Sequence, residues 1–455
     1  MPKAEYRREI ICFATLVTLS FLRFSFLGFR YTPYLDDHIQ YIFYPSLDNG
    51  WDNILAGGAR ILATRPLAGI FDYFLWSRFS HHLGVAVALI SIIHGLSAIF
   101  FYKAFRHIDI ELGLIFFIFY LFLPSNSEGT YWLSASTRIV VSLFFISVSL
   151  MFAAKEKTTL FTVFSFLSMW FYEQTAILSL FCAVMFFVIS KDYLKIVIPS
   201  LSFALLIFFY LWVGTTGDNA HRFSMVHFSQ LLHHSGKTIS SIVKAFIPVT
   251  FQIIKNGFMR SVNTIFENLS YLWFAVIGAL SICVVILAKE NQNKTPKAKM
   301  LYGIILAISP MLPFFVTNNE FALRNLVPCL LGVAIVLDGI VPLLLRSFTP
   351  IFASVCLIVF SVATASETID YEKTAQHDVL LAQKISENVT HETKQISVKI
   401  TTPVYLPQNA VFGDHIKSMV GSDWGVMGIV RTVSGNHHLI VDVLREKQKN
   451  NAPQS

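Results

Sequence analysis

The sequence predicts an α-helical polytopic membrane protein, and three observations carry that reading. First, of 455 residues, 54% are hydrophobic and only 14% charged, against about 25% charged in a soluble globular chain. Second, the apolar residues fall in runs of about the length a bilayer core requires, roughly 20 residues. Third, the basic residues of the short connections between those runs fall overwhelmingly on alternate loops, as the positive-inside rule requires of a multi-pass chain.

Taken in order, about eleven runs qualify, at 10–29, 83–102, 110–124, 138–154, 159–172, 175–190, 195–213, 270–288, 300–317, 326–345 and 349–366. The first follows a short basic segment with Lys3, Arg7 and Arg8 and lacks a small-residue cleavage site, so it reads as a retained signal anchor. The stretch 159–190 is nearly continuous, and it is divided at Tyr172-Glu173-Gln174 because a carboxylate is costly at mid-membrane. With the N-terminus cytoplasmic, the inside loops hold Lys103, Arg106, Lys155, Lys157, Lys191, Lys195, Lys289, Lys294, Lys297, Lys299 and Arg346. The short outside loops at 125–137, 172–175 and 318–325 hold Arg324, with Arg138 at the edge of one. An odd number of crossings then puts the C-terminal segment outside.

Three outside segments are long: 30–82, 214–269 and 367–455. Ile242, Val243, Phe246 and Ile247 share a face from which Lys237 and Lys244 are excluded, which suits an interfacial amphipathic helix or a helix packed on the protein. Pro66 to Phe79 suits a second interfacial helix. Residues 1–366 form the membrane unit, and 367–455 a small extracytoplasmic α/β segment: a helix at 374–389, strands at 396–400 and 438–443, and a disordered end from Glu446. No internal repeat is visible.

Five cysteines lie inside apolar runs, which argues against a disulfide framework or a thiolate metal site. The paired histidines lack metal-ligand spacing, and there is no Walker loop, dinucleotide fingerprint or nucleophile elbow. The net charge of +7 reflects short basic loops and gives no reason to invoke nucleic acid. Any reaction on the outer face must therefore use an already activated substrate.

Chemistry-bearing residues concentrate at the outer ends of the spans. Asp36 and Asp37 follow Tyr34 and precede His38. Because neighbouring residues point in different directions, the two carboxylates suit two roles, one as general base and the other holding a metal or a hydroxyl. An isolated acidic pair more often just solvates a loop, but this one has company. Arg65 lies in the same long loop; Glu128, Trp132 and Arg138 in the next outer connection; Glu173 in the third; and Arg324 in the last. A carboxylate to activate an acceptor, cations for a departing phosphate and aromatic faces for sugar rings are thus all present on one side.

In these features the chain resembles the GT-C superfamily of polytopic glycosyltransferases, bacterial O-antigen glucosyltransferases among them. The resemblance rests on the order of spans over most of residues 1–366, on Tyr34-Leu35-Asp36-Asp37 opening a long outer loop, on Arg65-Pro66-Leu67, and on the Tyr-Glu-Gln turn at 172–174. His38 departs from the Tyr or Arg that many members carry near the acidic pair. The resemblance implies a bacterial inner-membrane enzyme that moves a sugar, with inversion, from a polyprenyl-phosphate donor to a cell-envelope glycan or glycolipid. One of Asp36 and Asp37 would be the base. Arg65, Arg138 or Arg324 would hold the phosphate, with Tyr34, His38, Glu128, Trp132 and Glu173 lining the site, and the helix carrying Lys244 would guide the lipid tail. Some members use a divalent cation, and nothing in these residues selects for or against one. Two other readings stand beside it. An O-antigen polymerase or ligase would lean on Arg222 or Arg260, and a transporter or flippase would need charged or broken-helix sites at mid-membrane, where the spans hold Arg23 and Asp338.

Overall fold

A computed structural model describes residues 3–43, 65–214, 225–288, 295–400 and 415–445. It is a bundle of helices, bearing at one end a two-stranded parallel sheet with its crossover helix. The helices are α1 (Lys3–Leu22), α2 (Pro66–Phe74), α3 (Leu83–Arg106), α4 (Leu114–Phe122), α5 (Leu133–Ala154), α6 (Thr158–Met169), α7 (Glu173–Ser190) and α8 (Leu194–Gly214). There follow α9 (Leu231–Lys244), α10 (Thr250–Glu267), α11 (Tyr271–Leu287), α12 (Pro296–Ile308), α13 (Leu326–Leu345) and α14 (Thr349–Ser386). Strand β1 (Gln395–Ile400), helix α15 (Asp423–Ser434) and strand β2 (Ile440–Arg445) complete it.

Among the described residues, seven helical stretches are long and apolar enough to cross a membrane. One of them, Leu323–Ser386, covers two of the expected runs, while α6 and α11 are apolar but shorter. The chain is thus an α-helical, multi-pass membrane protein, and each of the eleven expected runs contains a helix. The division at Tyr172 falls where α6 has ended and α7 begins.

Local chemistry explains the boundaries. Helix α4 stops early because Leu123 precedes Pro124 and is forced out of helical geometry, at φ −57° and ψ 120°. Its freed Leu121 carbonyl is taken by the Arg23 guanidinium and by Asn126 Nδ2 at 3.3 Å, cations and amides being the natural partners of a helix C-terminus. Helices α12 and α13 cross at Gly303 and Gly332, where a Cβ on Gly332 would lie 2.3 Å from the Gly303 carbonyl oxygen. Close crossings on small residues of this kind replace hydrophobic drive inside a bilayer.

Four expectations change. The outer loop at 125–137 is buried throughout, because the Pro124 break folds it back against α13 and α14. The amphipathic helix near 239–247 belongs to a longer helical stretch, in which a π-helical segment, Ala245–Val249, joins α9 to α10. The helix expected at 374–389 is the second half of α14, which runs 38 residues without a break across position 366. Helix α15 was not foreseen. Both strands form, paired in parallel from Gln395 with Ile440 to Ile400 with Arg445. The terminal stretch from Glu446 lies outside the described residues, as does Arg222.

Candidate active site

One end of the bundle gathers nearly every polar residue singled out above. The ends of α1, α4 and α6 and the starts of α3, α5, α7 and α13 meet there, and α14 passes through and beyond it.

The acidic pair sits in a tight turn. Leu35 takes φ +44°, a left-handed conformation that costs a non-glycine residue about 1–3 kcal/mol. The turn holds because the Asp37 amide donates to the Tyr34 carbonyl (3.0 Å) and the His38 amide to that of Leu35 (3.2 Å). The two aspartates then diverge. Asp37 is wholly buried and accepts three hydrogen bonds: Tyr31 Oη–H (2.6 Å), Tyr34 N–H (3.0 Å) and Ser134 N–H (2.9 Å). Ser134 lies in the first turn of α5, so Asp37 supplies an anion to that helix's free N–H groups. Burial pushes its pKa up to about 7 even though the three donors pull it down. Asp36 is half-buried, and its hydrogen-bond donor among the described residues is the Trp424 indole N–H, 2.8 Å from Oδ1. Neighbouring carboxylates are thus a structural anchor and an accessible acid.

Two arginines lie at the same end of the bundle. Arg65 forks onto Glu173, with Nε at 3.0 Å from both carboxylate oxygens and Nη2 at 2.9 Å from one, and lies 4.5 Å over the Tyr172 ring. Burial works against the Arg65 charge, but Glu173 outweighs it and raises the pKa. Arg324 donates Nη1 to Glu128 at 2.6 Å while its backbone amide donates to the other oxygen at 3.1 Å. Tyr172 bridges the two arginines: its hydroxyl accepts from Asn325 Nδ2 at 2.8 Å, next in chain to Arg324. Gln174 Oε1 accepts from the same amide group at 2.8 Å. Arg65 Nη1 and Arg324 Nε and Nη2 have no hydrogen-bond acceptor among the described residues.

Behind Glu128 lies a buried cation that the sequence did not reveal. His415 places Nε2 2.7 Å from Glu367 Oε2 and Nδ1 3.7 Å from Glu128 Oε2, all three side chains being at most 2% exposed. Burial works against its charge, yet the two carboxylates override this and raise its pKa to about 10. Against its own burial, Glu128 is held below the usual carboxylate range by Arg324 and His415. Helix α14 acts as the spine of the cluster. Beyond Glu367, Asp370 takes a bidentate pair from Arg260 at 2.8 Å, Glu372 accepts from Thr32 N–H (3.0 Å) and Oγ1–H (2.7 Å), and Asp378 accepts from Ser418 Oγ and Met419 N–H (2.7 Å). Residues 367 and 378 are eleven apart, three turns of one helix face, and that spacing was the readable signal.

Several expected lining residues do other things. Trp132 is 7% exposed and donates to the Tyr34 carbonyl at 3.3 Å. Tyr34 packs edge-on between Trp132 and Tyr371, so both are scaffold aromatics. Arg138 is buried against Asp72 at 3.5 Å, and burial pushes that carboxyl up to about 6 in spite of the arginine. His38 is buried, and desolvation lowers its pKa to about 4, so it is neutral at physiological pH. Lys244 is exposed at the end of α9, which packs on residues 245–249 and 312–316. Of the residues tied to the alternatives, Arg260 is engaged by Asp370, and Asp338 caps the start of α4 through Gly113 N–H and Phe116 N–H while pairing with Lys299 at 2.8 Å.

Among the described residues, no group of three or more His, Cys, Asp or Glu is arranged to hold a metal ion. In comparisons with protein-family models, curated proteins and solved structures, nothing matches this chain.

Proposed function

We propose that this chain transfers a sugar from a polyprenyl-phosphate donor to a cell-envelope glycan or glycolipid, at the bundle end that bears Asp36. What supports the reading is one accessible carboxylate at the same end of the bundle as two arginines that keep unused N–H donors. In the transfer, the Asp36 carboxylate takes the proton of the acceptor hydroxyl as its oxygen bonds to the anomeric carbon. The bond from that carbon to the phosphate oxygen breaks, its electron pair leaves with the polyprenyl phosphate, and the configuration inverts. Arg65 and Arg324 meet the phosphate with their free donors, charge-assisted bonds being about twice as strong as neutral ones. The pairing of each arginine with a carboxylate fixes its fork in place before the donor arrives. Asp37 positions the turn and takes no proton from substrate.

The matching topology is eleven crossings in a bacterial inner membrane, with the N-terminus in the cytoplasm and the site end outside. The distribution of lysine and arginine favours it, since Lys103, Arg106, Lys157, Lys195 and Lys299 all lie toward the opposite end of the bundle.

The deciding experiment is transfer of label from polyprenyl-phosphate glucose, mannose or N-acetylglucosamine to envelope glycan in membranes bearing the chain. Asp36→Asn should lower transfer by about 10²–10⁴-fold, the usual contribution of a general base, at an unchanged amount of folded protein. Undiminished transfer by Asp36→Asn would remove the proposal.

A further inference from the structure

We propose that Trp424 is the platform on which the acceptor's pyranose ring lies, so that the C-terminal β1–α15–β2 unit selects the acceptor. This rests on the reading of Asp36 as the base. A sugar offers an apolar C–H face and a rim of hydroxyls, and it is recognised by an aromatic face set beside a carboxylate. Tyr34, Tyr131, Trp132 and Tyr371 are each less than a tenth exposed and packed against one another. Trp424 is 50% exposed, and its indole N–H sits 2.8 Å from Asp36 Oδ1. A ring stacked on this indole therefore has a hydroxyl within reach of the carboxylate that must deprotonate it.

The platform is firmly mounted. Helix α15 presses on the segment just after the acidic pair, where a Cβ on Gly428 would lie 2.6 Å from Ile39 Cγ1. Asp378 of α14 holds the turn that leads into α15 through Ser418 and Met419. The indole is also linked to Asp36 itself, so the acceptor and its base are aligned by one side chain. Trp424 is a specificity-determining residue and exchanges no proton.

The test pairs Trp424→Ala with Trp424→Phe, which keeps a ring but loses the N–H, in the full-length protein. In the transfer assay, Trp424→Ala should raise the acceptor KM roughly tenfold with the donor KM unchanged, the order expected for a lost aromatic contact. Trp424→Phe should recover most of that loss. Saturation-transfer NMR on detergent-solubilised protein with maltotriose, cellotriose and a rhamnose trisaccharide gives a readout independent of turnover. Ring C–H signals should be present with wild type and Trp424→Phe and absent with Trp424→Ala. An acceptor KM unchanged in Trp424→Ala, or no sugar signal with wild type, overturns the inference. Transfer abolished by Asp36→Asn but indifferent to Trp424→Ala would overturn this inference alone, whereas an active Asp36→Asn would overturn the reading beneath it.

Discussion

Single side chains at the site divide into those that touch solvent and those that hold the scaffold, and stability measurements separate them. Asp37→Asn places an amide where two N–H groups and a phenol need acceptors, so at least one buried donor loses its partner. A loss of about 1–3 kcal/mol of stability is expected, read as a lower midpoint of thermal unfolding in detergent, in contrast to the silent Asp36→Asn. His415 gives a pH signature. Its folded pKa of about 10 stands above the unfolded value near 6.5. The stability it contributes is therefore complete below about pH 6.5 and is lost progressively as pH rises toward 10. The unfolding midpoint should fall across that window in wild type and stay flat in His415→Gln. An equal slope in both would mean that the imidazole is not held charged by Glu128 and Glu367.

At the scale of elements, two of the contacts that hold the C-terminal half on the bundle can be tested. The seat of α15 is made by Gly428 against Ile39, so Gly428→Ala should cost about 1–3 kcal/mol through overpacking. Ile39→Val in the same chain should relieve part of it, and a double-mutant cycle measures the coupling. The second contact joins α10 to α14 through Arg260 and Asp370, whose carboxylate side chain is 1% exposed. Arg260→Ala should cost about 3–5 kcal/mol by leaving a buried charge without its fork. Arg260→Met with Asp370→Leu should restore folding and keep transfer. A folded but inactive double variant would instead favour the polymerase reading, in which Arg260 meets substrate.

For the whole molecule, the helical membrane architecture was legible because hydropathy and span length are properties of composition, which a bilayer enforces run by run. The break at Pro124 was equally readable, yet its result, a fully buried loop at 125–137, depends on which helices lie behind it. The site was half legible. Asp36, Arg65 and Arg324 stood out because charges at span ends are few. His415, Glu367 and Trp424 were hidden among polar residues assigned to a separate soluble segment, and chain separation of 388 positions gives no local sign that Trp424 meets Asp36. The proposed topology has its own check. Alkaline phosphatase fused after residue 445 should be active, and the same reporter fused after Arg106 inactive; the reverse would invert the membrane orientation.

Helix α14 has a further consequence. At 1.5 Å per residue its 38 residues extend about 57 Å, nearly twice the roughly 30 Å of hydrocarbon it would cross. It therefore works as a ruler with a phase, fixing both the height of the C-terminal unit and its bearing around the bundle axis. One alanine inserted between Asp378 and Ser386 would turn everything beyond it by about 100° and swing the indole away from the carboxylate. Seven would nearly restore the bearing and lift the unit by about 10 Å. Homologous chains should keep the length of this helix constant to the residue.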